Sequence, residues 1–151
     1  MRVAIGADHR GYELKSKLIP FLKSEGHEVI DFGTNSGESC DYPAIGYNVA
    51  RSLSKGESQR GILICMSGIG MSIIANKAPG VRAAICDSTC DAELSREHND
   101  ANVIIISSKY VKDKPEDILR TWFNTDITEE RHKRRVSQII DIEKKILKGE
   151  V

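Results

Sequence analysis

The sequence predicts an α/β protein: a single three-layer α/β/α Rossmann-like domain with a five-stranded parallel sheet and a long C-terminal helix. Three observations predict it. Five short apolar runs alternate with segments of helical periodicity. The runs are near-continuous in Val, Ile, Leu and Ala, as in strands buried on both faces by crossover helices. The chain has 151 residues, a length that suits one domain over 1–151 and buries enough surface to fold without a disulfide or metal staple.

The elements follow in order. Val3-Ala4-Ile5 is the first strand and ends at Gly6. Leu14, Leu18, Phe21 and Leu22 recur at helical spacing, and Gly26 stops that helix. Pro20 lies inside it, where an interior proline costs about 3 kcal/mol, so a kink or a late start is expected. Glu28–Phe32 is the second strand, punctuated by Gly33, and a polar loop runs to Asp41-Tyr42-Pro43. A helix over Ala44–Ser54 precedes the strand Gly61–Cys65. The next helix starts near Ile69 and stops before Pro79-Gly80. Val81–Cys86 is the fourth strand, a helix runs to Glu97, and Val103–Ile106 is the fifth strand. Helices over Pro115–Phe123 and Thr128–Lys148 close the chain. Asp126 and Glu129 have capping-box spacing at the start of the last one. Its stripe of Val136, Ile139, Ile140, Ile146 and Leu147 can pack on its own sheet or reach a second subunit.

Composition excludes several function classes. There are 22 basic and 22 acidic residues, so no net charge favours general binding to nucleic acid. No apolar run approaches the roughly 20 residues of a membrane helix. Met1-Arg2-Val3-Ala4-Ile5-Gly6 is too short and too soon polar for a signal peptide, so a cytoplasmic address is expected, with the four cysteines as reduced thiols.

Ligands of open parallel sheets bind beyond the carboxyl ends of the strands. That rule selects Asp8-His9, Cys65-Met66-Ser67-Gly68-Ile69-Gly70, Cys86-Asp87 and Ser107-Ser108-Lys109. The second segment carries most information. A strand ends in a thiol, and a serine and two glycines lead into a helix. Backbone N–H groups there suit an anion or a developing oxyanion, and the same dipole favours a nearby thiolate. A thiolate beside such a cradle suits proton abstraction next to a carbonyl. A buried cysteine above a tight turn is the structural alternative.

Other chemistries fail on the string. A Cys-x5-Arg phosphatase loop needs arginine where Met71 stands, and a receiver domain needs aspartate where Cys65 stands. No Cys-x-x-Cys redox pair is present. Cys86, Cys90 and His98 have poor spacing for zinc and lack a fourth ligand, so no metal is expected. No Gly-x-Gly-x-x-Gly follows the first strand, and no cofactor is expected. His98-Asn99-Asp100-Ala101-Asn102 suits either sugar hydroxyls or a helix cap and turn. Arg131 and Arg135, at i and i+4 with His132 beside the first, share a helix face that is either solvated or grips a phosphate.

Together these segments resemble the type B ribose-5-phosphate isomerase family. The carrying pieces are Gly6-Ala7-Asp8-His9-Arg10-Gly11, Asp41-Tyr42-Pro43, Gly61–Cys65, Ala75-Asn76-Lys77, Gly80-Val81-Arg82-Ala83, Leu94–Val103 and Arg131-His132-x-x-Arg135-Val136. The resemblance implies an aldose–ketose isomerase that interconverts ribose 5-phosphate and ribulose 5-phosphate through a cis-enediolate, in the pentose phosphate pathway. It implies Cys65 as the base, Ser67 as a hydroxyl that moves protons at the sugar oxygens, and Gly68 and Gly70 as the enediolate loop. His98 matches the ring-opening residue. Asp8 and Asn99 match sugar contacts, and His9, Arg131 and Arg135 match phosphate contacts. Tyr42, Lys109 and His132 join them as substrate-binding positions. The family implies no metal, and a homodimer or tetramer whose sites combine two subunits.

The chain departs from the family pattern at Met66 for glycine, Ser67 for threonine and Lys109 for a frequent arginine. A hexose 6-phosphate isomerase, for allose or galactose 6-phosphate, is the near alternative. Galactose-6-phosphate isomerases work as two different chains, whereas this chain holds a full catalytic set. A non-catalytic sugar-phosphate sensor is the alternative from another class; it is expected to lack Cys65 or His98, and both are present. His9 and the arginine pair are expected at one sheet edge, around one phosphate.

Overall fold

Strand β1 (Arg2–Ala7) is joined through α1 (Tyr12–Ser24) to β2 (Glu28–Asp31), and α2 (Tyr42–Ser54) leads to β3 (Arg60–Cys65). There follow α3 (Ile69–Ala75), β4 (Ala83–Ile85), α4 (Thr89–Asn99), β5 (Val103–Ser107), α5 (Pro115–Asn124) and α6 (Glu130–Leu147). The computed structural model describes residues 1–150. The strands form one parallel sheet in the order β2-β1-β3-β5-β4. The five-stranded parallel sheet, the helices on both faces and the long last helix are those expected from the sequence.

Side chains alternate along each strand and so feed two cores. Val3, Ile5, Ala7, Ile62, Ile64, Ile104 and Ile106 pack with Leu18, Leu22, Ile118, Leu119 and Trp122 on the side of α1, α4 and α5. Ala4, Leu63, Cys65, Val103 and Ile105 pack with Val49, Ala50, Met71 and Ala75 on the side of α2 and α3. Burying one Ile or Leu contributes about 1.5–3 kcal/mol, so these layers fix the strands' register and the strand ends that carry the site.

Several local expectations are corrected. Helix α1 starts at Tyr12, not late, and stays helical through Pro20, whose ring lies on the exposed side. Strand β4 is shorter than Val81–Cys86 and starts only at Ala83, because the Arg82 amide is taken by the Asn102 side chain. The capping box does not form. Glu129 is itself the N-cap residue of α6, without a side-chain cap, and its carboxylate pairs with Arg131 at 2.6 Å. Asp126 lies 3.5 Å from Arg96 instead. Of the α6 stripe, only Val136 is buried; Ile139, Ile146 and Leu147 remain exposed, as does Ile142.

Candidate active site

The chain moves from β1 to β2 on one side and to β3 on the other, so a crevice opens beyond the carboxyl ends of β1 and β3. A cleft of about 280 Å³ lies there, lined by Asp8, His9, Arg10, Tyr42, Cys65, Met66, Ser67 and Gly70. Two of the four strand-end segments selected by the sequence therefore meet. Arg10 was not among the expected residues; its place directly after Asp8-His9 was the available signal.

Cys65 ends β3 with its side chain on the α2/α3 face, only 6% exposed. Its Sγ accepts a hydrogen bond from the Gly68 amide at 3.1 Å. Gly68 stands in the left-handed region at φ 78°, which favours glycine there and turns the chain from the Cys65 loop into α3. The Ile69 amide reaches Ser67 Oγ at 3.4 Å. Helix α3 has only seven residues, so individual amides, more than an accumulated dipole, define this cradle. Gly70 lies in its first turn, where N–H groups lack intrahelical partners. A Cβ there would sit 2.5 Å from Tyr42 Cζ and 2.8 Å from its hydroxyl. The missing side chain is what lets the Tyr42 ring close over the loop.

The loop is pinned from β5: Ser108 and Lys109 donate their amides to the carbonyls of Cys65 (2.9 Å) and Met66 (3.2 Å). Lys109 thus stands at the same sheet edge as Cys65, its Nζ 5.4 Å from the Tyr110 ring centre. Asp8 Oδ1 accepts the amides of Arg10 (2.9 Å) and Gly11 (3.0 Å), which shapes the turn into α1. His9 Nδ1 accepts the Cys40 amide at 3.3 Å.

The other expected residues stand elsewhere. Helix α4 starts at the carboxyl edge of the sheet and returns to the start of β5, so His98 and Asn99 in its last turn lie at the amino edge. Six-residue β3 alone spans about 20 Å. His98 and Cys65 of one chain therefore cannot meet. Arg131, His132 and Arg135 belong to the first turns of α6, at the same amino edge as His98. The expectation that His9 and the arginine pair share one sheet edge is corrected: within a chain they lie at opposite edges, because α5 carries the chain back across the sheet before α6 begins.

That amino-edge cluster is tightly built. Asp100 caps α4 in a left-handed turn (φ 46°, ψ 46°) and bridges Arg82 (2.9 Å) and Arg96 (2.6 Å). Buried Arg96 also donates to the carbonyls of Ala101 and Thr125. Asp100 and Asn102 thus serve the turn, while Asn99 is exposed. The half-exposed His98 ring stacks on His132, centres 4.1 Å apart and planes 19° from parallel. The sequence offered one signal for this buried histidine: His132 and Val136 stand at i and i+4 on one helix face.

The Cys86–Cys90–His98 group does not assemble, since Cys86 precedes α4 and His98 ends it. Burial pushes the Cys86 thiol up to about 12. No helix among the described residues is long and apolar enough to cross a membrane.

Comparison with known proteins agrees with this arrangement. Residues 3–139 match the family model described as Ribose/Galactose Isomerase. The chain is 41% identical to ribose-5-phosphate isomerase B of Escherichia coli (strain K12) over 145 residues, covering 95% of this chain and 97% of the relative. The structure of ribose-5-phosphate isomerase B from Clostridium thermocellum superposes with a TM-score of 0.92 at 49% identity, over 97% of this chain and 99% of that one. The enzyme of the same name from Mycoplasma genitalium, solved with bound ribulose 5-phosphate, gives 0.90 at 36% identity, over 95% and 96% of the two chains. With the match running through the Cys65 loop, the His98 turn and the start of α6, this chain belongs to the ribose/galactose isomerase family.

Proposed function

We propose that the chain is one isomerase domain that interconverts ribose 5-phosphate and ribulose 5-phosphate through a cis-enediolate. The observation that carries this reading is the Cys65 sulfur, held by the Gly68 amide at the wall of a cleft at the sheet's switch point. Aldose–ketose exchange moves one proton between adjacent carbons while charge gathers on oxygen. Cys65 takes the C2 proton of the open-chain aldose and returns it to C1. Ser67 passes protons between O1 and O2, and the Gly68–Gly70 backbone faces the oxygen that carries charge. All of these groups come from the chain, so the chemistry asks for no metal and no cofactor.

The site is completed by a second copy, in a homodimer or a tetramer. Two facts support this: Cys65 and His98 occupy opposite edges of one chain, and apolar side chains lie exposed near both. Ile69 and Ile73 are exposed on α3, and Ile139, Ile142, Ile146 and Leu147 are 48% to 62% exposed on α6. In this assembly His98 of the second copy opens the furanose, and Asp8, Tyr42 and Asn99 meet sugar hydroxyls. His9 and Lys109 face the phosphate with Arg131 and Arg135 of the second copy. The same reading places the enzyme in the cytoplasm, in the pentose phosphate pathway.

Incubation with ribose 5-phosphate and allose 6-phosphate, in the presence of a chelator, tests the reading. Ketose forming from the pentose phosphate in preference to the hexose phosphate supports it. Turnover of the hexose phosphate alone assigns the alternative substrate, and turnover of neither overturns the isomerase reading.

A further inference from the structure

His132 presents a problem that the reaction does not absorb. The residue is 3% exposed, yet neither Nδ1 nor Nε2 has a hydrogen-bond partner among the described residues. Leaving a buried polar group unpaired is destabilising, so an apolar ring of similar shape would suit this position better if packing were its only task. The ring lies face to face with His98, 4.1 Å between centres, and His98 presents its other side to solvent. Both residues come from the same chain and move as a unit into whatever site His98 completes.

We infer that His132 is a positioning residue: it is the platform that fixes the ring plane of His98 for opening the furanose, and it does not itself bind the substrate. The inference rests on the isomerase reading above. A general acid–base group works only within hydrogen-bond reach and in the right orientation. The flat stack restricts rotation of His98 about its side chain while leaving its edge free for a sugar oxygen. The groups around the pair favour the uncharged form of the platform. Burial acts first, His98 itself and the guanidinium groups of Arg131 and Arg135 act the same way, and Glu129, 3.9 Å from Nε2, opposes them. Glu97 lies 3.9 Å from His98 Nε2 on the solvent side. A neutral ring beneath His98 adds no repulsion when His98 takes up a proton during ring opening.

The test compares His132→Ala and His132→Phe on two substrates. Ribose 5-phosphate closes a furanose ring. An aldotetrose 4-phosphate cannot, because its O4 is esterified. For His132→Ala, kcat on ribose 5-phosphate should fall about tenfold or more with little change in KM, part of the roughly 10²–10⁴ that a positioned acid–base group supplies. Turnover of the tetrose phosphate should stay within about threefold of the parent. His132→Phe restores the plate and should recover most of the lost kcat. Equal losses on both substrates would make His132 merely structural. A raised KM in both variants would make its nitrogens substrate ligands. An unaffected His132→Ala would remove its role; each of these three results overturns the inference. A parent enzyme inactive on both substrates contradicts the isomerase reading itself.

Discussion

Cys65 and His98 of one chain stand at opposite edges of the same sheet, one closing β3 and the other in the last turn of α4. In the roles proposed for them, Cys65 as the base and His98 as the ring-opening group serve one sugar only if two chains share the site.

Cys65→Ala should nearly abolish turnover while leaving the fold and sugar-phosphate binding intact. It should also stop exchange of the C2 proton with solvent deuterium, followed by proton NMR of the substrate. Exchange persisting in this variant would exclude Cys65 as the base.

Arg131 and Arg135 lie one turn apart on α6, and a charge-assisted bond to phosphate is worth about 1.5–3 kcal/mol. Arg135→Ala should lower kcat/KM for ribose 5-phosphate by roughly 10- to 150-fold. Activity on unphosphorylated ribose or allose should change far less. Equal losses on both would mean that Arg135 supports the fold or the assembly and does not read phosphate.

Gly70→Ala places a methyl carbon against the Tyr42 ring. Because backbone holds one partner and α2 the other, the ring must swing out, and KM for the sugar phosphate should rise. Tyr42→Ala combined with Gly70→Ala should lose no more than Tyr42→Ala alone, a coupling read from the double-mutant cycle. Independent, additive losses would show that the two positions do not work together.

Much of this was legible in the sequence. Continuous apolar runs such as Ile62-Leu63-Ile64 announce strands covered on both faces, and the period of Leu14, Leu18 and Leu22 announces α1. The Cys65 loop could be singled out because a thiol, a serine and two glycines stand at a strand end, although that string alone equally fits a buried cysteine above a tight turn. The order of the strands is a long-range property that local periodicity does not encode, whereas the edge that carries His98 follows from its place just before β5. The capping box failed for a long-range reason too: the Asp126 carboxylate lies 3.5 Å from Arg96, thirty residues earlier, and α6 begins only at Glu130. The His98–His132 stack escaped because both residues look, one by one, like surface polar groups.

Stability should depend on pH through His132 and His27. Burial is the largest influence on each and holds both below the ordinary 6.5. The unfolded chain then binds more protons than the folded one between those lowered values and 6.5, so stability rises with pH across that window. It is fully present above the unfolded value and is lost as pH falls through the folded ones. Around His132 the groups involved are His98, Arg131, Arg135 and Glu129; around His27 they are the N-terminal ammonium and Glu25. Urea midpoints measured from pH 5 to 8 should fall on the acid side, and His132→Phe should flatten part of that slope. A slope unchanged in His132→Phe would show that His132 does not contribute.

The shared site is tested most directly by mixing two inactive chains. Cys65→Ala and His98→Asn are each purified, unfolded together and reassembled, and heterodimers are proven by mass. A heterodimer holds one site with both native residues and one with neither. Random pairing into two-fold dimers should then restore up to about a quarter of the parent activity. No recovery in proven heterodimers would place Cys65 and His98 in the site of a single chain and contradict the account.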